Sequence, residues 1–78
     1  MTYVATFYTH AAALFTYRTL RQNGIDALMQ PVPRSLSSSC GTCVRYEASD
    51  PCEAMLDRDT EQIAEATGSE YRVIRSFE

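Results

Sequence analysis

Lysine is absent from this chain of 78 residues, and all 7 cationic side chains are arginine. That excludes a lysine Schiff base and the lysine of a phosphate-binding loop. No glycine-rich phosphate loop is present either. Glycine and proline are scarce, 3 of each, while 45% of residues are hydrophobic and 22% charged. Such a balance argues against disordered, collagenous and low-complexity classes. No apolar run approaches the ~18–20 residues that span a bilayer, so no membrane partner is expected. The opening residues, MTYVATFYTH, carry no basic n-region and no cleavage site. They are not expected to act as a secretion signal, which points to a cytoplasmic protein. Positive charge is in deficit, with a formal net charge of −3, and this disfavours nucleic acid as a partner. Length is the last shortage. A chain this small reads as a single domain over 1–78, with a thin core and no room for a large enclosed cavity. Chemistry is then expected on an exposed loop or edge.

What is present reads as alternating strands and helices. Residues 3–8 are rich in aromatic and β-branched types and predict a strand. Thr9 fits a helix N-cap, and residues 10–23 contain no breaker. Ala13, Leu14, Tyr17 and Leu20 form a helical stripe, and Gly24 suits the position after the last turn. Residues 25–30 predict a second strand, ended by Pro31 and Pro33. The stretch 34–43 is irregular and dominated by small polar residues. Residues 44–48 resume alternation. Asp50-Pro51 is a helix-start signal, and the spacing predicts a second helix to about Thr67, with a break near 58–60. A last strand is expected over 71–77. The order βαββαβ predicts an α+β fold of the ferredoxin-like plan: one antiparallel sheet with both helices on one face.

Chemistry concentrates in the irregular stretch. Cys40-Gly41-Thr42-Cys43 is a C-x-x-C motif, able to form a disulfide or to face one metal ion. Ser37, Ser38 and Ser39 precede Cys40, and small residues let backbone N–H groups converge on an anionic sulfur. Arg34 and Arg45 flank the loop and favour a thiolate by charge. The N-terminus of the first helix acts in the same direction, and His10 there is a candidate proton acceptor for Cys40. Parallel strands 1 and 2 bring His10 and Cys40 to one end of the sheet. Cys52, the third cysteine, falls on the apolar stripe of the second helix and reads as a core residue at the opposite end. A closed zinc site needs four ligands, and one chain supplies only Cys40, Cys43 and His10. No metal and no cofactor are therefore expected, unless two chains pool their cysteines. The acidic residues stud a solvated face and do not pair as an active site.

The run Pro31-Val32-Pro33-Arg34-Ser35-Leu36-Ser37-Ser38-Ser39-Cys40-Gly41 resembles the signature of the selenium/sulfur (Se/S) carrier protein-like family, a small domain of unknown function. Arg45 matches an arginine that family carries in the next strand. Thr9-His10 and Ala13-Leu14 are similar to its first helix start. The resemblance implies a carrier, with Cys40 in the carrier position as a persulfide or selenopersulfide and with donor and acceptor proteins as partners. It does not extend to Cys43.

Three functions are compatible with these residues. One is a Se/S carrier loading Cys40, with Arg34, the serines, Gly41 and Arg45 holding the terminal atom. Another is a dithiol redox module in which Cys40 attacks and Cys43 resolves. The last is a non-catalytic binding or regulatory domain that forms a homodimer through exposed strands or the sheet face.

Overall fold

Strand β1 (Thr2–Phe7) lies at the centre of the fold, and its residues 3–7 are all buried. In the computed structural model, which describes residues 1–77, it is followed by helix α1 (His10–Gln22). Strands β2 (Asp26–Pro31) and β3 (Thr42–Glu47) come next. A single 3₁₀ turn at Glu53–Met55 leads to strands β4 (Thr60–Thr67) and β5 (Glu70–Ser76). The five strands make one sheet in the order β2-β3-β1-β4-β5, and every neighbouring pair is antiparallel.

The first half follows the expected plan. Thr9 has an extended backbone, and its hydroxyl oxygen accepts the Ala12 N–H at 3.1 Å, which satisfies an orphan donor of α1. The helix crosses back so that β1 and β2 run parallel with β3 between them.

The second half corrects the ferredoxin-like expectation. No second helix covers 51–67, and the α+β fold carries one helix instead of two. The break expected near 58–60 is where β4 begins. Residues 60–67 instead pair with the free edge of β1, from Thr2 opposite Ala66 to Phe7 opposite Thr60. Glu, Gln and Ala in this segment favour a helix, but only by a few tenths of a kcal/mol per residue. Pairing with β1 removes an unpaired edge and buries Ile63 and Ala64 completely. Tertiary context therefore overrides propensity. Gly68-Ser69 closes the β4–β5 hairpin, since Thr67 lies opposite Glu70. Gly68 has φ +61 and Ser69 is not among the positive-φ residues, the pattern of a two-residue turn with glycine first.

Apolar side chains occupy both faces of the sheet. Tyr3, Ala5, Phe7, Val44, Tyr46 and Ile63 pack with Ala12, Ala13 and Leu20 of α1. Val4, Cys43 and Ala64 point to the other face, where Leu36 packs on them with Val32 and Tyr71 alongside. The segment 32–41 is thus a strap folded over the face that α1 leaves open.

Candidate functional site

The strap is closed where it leaves and rejoins the sheet: the Val32 N–H donates to the Gly41 carbonyl at 3.1 Å. Gly41 has φ +75, a left-handed conformation that glycine adopts without the clash a Cβ would bring. Within the strap, the Leu36 N–H donates to the Pro33 carbonyl at 3.0 Å. This tight turn drives Leu36 onto the open face, where it is only 8% exposed.

Cys40 follows at the end of the strap and is half-buried. It packs against the α1-side core. Its Sγ lies 3.3 Å from the Thr42 carbonyl oxygen, to which the thiol donates, and 3.9 Å from the Ser38 hydroxyl. The Ser38 hydroxyl also donates to the Phe7 carbonyl at 3.2 Å. That contact ties the serine run to the end of β1, just before the capped start of α1. His10, the first residue of α1, therefore stands at the same end of the sheet as Cys40. It is exposed and makes no hydrogen bond to the thiol among the described residues.

The two cysteines of the C-x-x-C motif do not converge. All three cysteines are free thiols. Cys43 is fully buried on the opposite face, and its thiol donates to the Pro31 carbonyl at 3.7 Å. Burial pushes the Cys43 thiol up to about 11, against smaller opposing effects of Gln30 and Arg45. Arg45 lies mid-strand opposite Val4 and Leu28, so alternation puts it on the face of Cys43. Arg34 is exposed in the turn before Leu36 and makes no ion pair among the described residues. Cys52 lies beyond the far end of β3, half-buried against the core. It has a left-handed backbone with φ 55 and leads the 3₁₀ turn. Burial, and then the adjacent Asp50 carboxylate, raise its thiol.

Sequence reasoning missed the side chains that hold the serine run. The β1–β4 ladder shifts register between Thr6/Gln62 and Phe7/Thr60, leaving Glu61 without a partner on β1. Such a bulge re-aims a side chain. Here the Glu61 carboxylate accepts the Ser39 N–H at 3.2 and 3.3 Å and the Ser39 hydroxyl at 2.8 Å. The neighbouring Gln62 side-chain amide donates to the Ser37 carbonyl at 2.9 Å. Placing 60–67 in a helix hid both contacts. The Gly68-Ser69 turn signal was the feature that would have revealed them. No group of three or more His, Cys, Asp or Glu side chains among the described residues is arranged to hold a metal ion. No helix there is long and apolar enough to cross a membrane.

The strap and its cysteine coincide with a family signature. The model of the family described as "Putative Se/S carrier protein-like" matches residues 2–75. The chain belongs to that family. Its match covers every strand's core pairing and reaches into the last residues of β5, so the β4–β5 hairpin is part of the shared domain. No curated protein and no solved structure matches this Se/S carrier-like chain.

Proposed function

We propose that this protein carries one sulfur or selenium atom on Cys40 and hands it to a partner protein. The observation that carries the reading is the family match over residues 2–75, combined with the position of Cys40 on an ordered strap at the sheet end. Loading is a sulfur transfer. The Cys40 thiolate attacks the terminal sulfur of a donor persulfide, R–S–SH. A bond forms between Cys40 Sγ and that sulfur, the donor S–S bond breaks, and R–S⁻ leaves and takes the proton that Cys40 released. The sum is Cys40–SH + R–S–SH → Cys40–S–SH + R–SH, with no external oxidant. Delivery is the reverse chemistry on an acceptor thiolate, with Cys40 as the leaving group. A donor R–S–SeH gives the selenium analogue by the same bond changes.

The surroundings support this use of Cys40. The Ser38 hydroxyl is near its sulfur. The start of α1 and His10 stand at the same end of the sheet, and a helix N-terminus favours negative charge. Neither Arg34 nor Arg45 bonds to the thiol. Three free thiols suit a reducing, cytoplasmic setting. The carrier reading is preferred to dithiol exchange because Cys43 is buried on the other face, with its thiol held protonated at neutral pH.

The test is mass spectrometry after incubation with a cysteine desulfurase and cysteine. We expect Cys40 to gain one sulfur atom, and Cys40→Ser to gain none. Equal labelling of Cys40 and Cys52 overturns the assignment.

A further inference from the structure

The carboxylate nearest the serine run is an unexpected neighbour for a residue that is to hold an anion. Ser39 directs two donors, its N–H and its hydroxyl, at the same Glu61 carboxylate. A pair of donors meeting one carboxylate is an anion-binding arrangement, and such bonds are about twice as strong as neutral ones. Ser39 precedes Cys40 in the chain. A persulfide extends roughly 2 Å beyond Sγ, the length of one S–S bond. Its terminal atom is more acidic than a thiol and carries negative charge at neutral pH. A terminal atom turned toward the serine run competes with the Glu61 carboxylate for that pair of donors, and two anions drawn to the same donors repel each other.

Building on the carrier reading above, we infer that Glu61 is the resting occupant of the strap's anion-binding donors. Its carboxylate holds the Ser39 N–H and hydroxyl while Cys40 is a free thiol. It yields them to the terminal sulfur or selenium when Cys40 is loaded. The bulge in β4 makes this exchange feasible. Glu61 is off the β1 ladder, while its own carbonyl still accepts the Phe77 N–H at 2.9 Å, so the backbone stays fixed as the side chain moves. The side chain also lines a shallow open hollow of about 130 Å³ with Tyr8, Ser37, Gln62 and Ser76. That space receives the carboxylate without displacing packed atoms. The device couples the state of Cys40 to the grip of β4 on the strap. Release of Glu61 marks the loaded form, and return of Glu61 favours departure of the carried atom.

The experiment loads the purified protein with inorganic disulfide, HS–S⁻, which leaves as HS⁻ after giving one sulfur to Cys40. After the donor is removed, the half-life of the loaded form is followed by intact mass. Wild type, Glu61→Ala and Glu61→Gln are compared, with melting temperature measured in parallel. Removing the competitor frees both donors, and we expect Glu61→Ala to lengthen the half-life on the order of tenfold. Glu61→Gln keeps the shape without the charge, and we expect an intermediate lengthening; it also serves if the alanine variant does not fold. If Glu61 only braces the strap, its loss exposes Cys40 to water and shortens the half-life. A shortened or unchanged half-life in both variants therefore overturns the inference and leaves the carrier reading standing. If no protein, wild type included, gains sulfur at Cys40, the carrier reading falls and this inference with it.

Discussion

Burial raises the Cys43 thiol from an ordinary 9.0 to about 11, and the shift makes a stability prediction. The folded state favours the neutral thiol. Its contribution is complete below about pH 9 and disappears as pH rises through about 11. In that window the unfolded chain gives up the proton first, so it binds fewer protons and stability falls. A rise of this size corresponds to roughly 2–3 kcal/mol. Urea unfolding at pH 8 and pH 10.5 measures it. We expect Cys43→Ala to lose much less stability between the two pH values than the wild type. A residual fall belongs to the Cys52 thiol, raised by burial and Asp50, and to Tyr46, whose buried hydroxyl donates to the Pro51 carbonyl at 2.5 Å and is also raised. Equal pH dependence in the two proteins would remove Cys43 from the account. At this scale the sequence placed Cys40 in an irregular segment, where small polar residues and a glycine disfavour strand and helix alike, and that is where it lies. It was a poor guide to Cys43. A position in a C-x-x-C spacing does not reveal on which face of a strand the second thiol falls.

Helix α1 was legible because its signals are local: a threonine cap, an unbroken apolar stripe and a glycine after the last turn. The β4–β5 hairpin was not. Asp50-Pro51 looks like a helix start, but Asp50 serves a turn, where its carboxylate accepts the Cys52 N–H at 2.8 Å. Spacing of Ile63 and Ala66 fitted a helical stripe as well as a strand. The decisive group was Gly68. It holds φ +61 with nothing within 4 Å of where a Cβ would stand. Replacing it with alanine therefore meets only the conformational penalty. We expect Gly68→Ala to destabilise the protein by about 1 kcal/mol, read from chemical unfolding. No measurable cost would mean that the turn does not hold that conformation in solution. The same hairpin presents Glu61 and Gln62 to the strap, so the missed element and the missed site residues are one error.

Taken as a whole, the molecule is a sheet covered by a helix on one face and by a ten-residue strap (32–41) on the other. Leu36 anchors that strap against Val4, Cys43 and Ala64. Leu36→Ala deletes the anchor, and we expect a loss of about 2–3 kcal/mol. Amide exchange across residues 33–39 should accelerate more than in α1. Uniform acceleration would show that Leu36 supports the global fold and not the strap in particular.

By itself the sequence determined the first strand, one helix with its cap, and an irregular polar stretch around a cysteine framed by small residues. Those follow from local stereochemistry and from a spacing a few residues long. Tertiary structure alone decided what the remaining chain does. The open edge of β1 recruited 60–67 as a strand against its helical preference, because completing a ladder and burying Ile63 and Ala64 outweighs small propensity differences. That choice brought the Glu61 carboxylate onto Ser39, while alternation along β3 turned Cys43 to the face opposite the core that Cys40 packs against. No local pattern encodes the Glu61 contact, since it depends on which distant strand lies alongside β1.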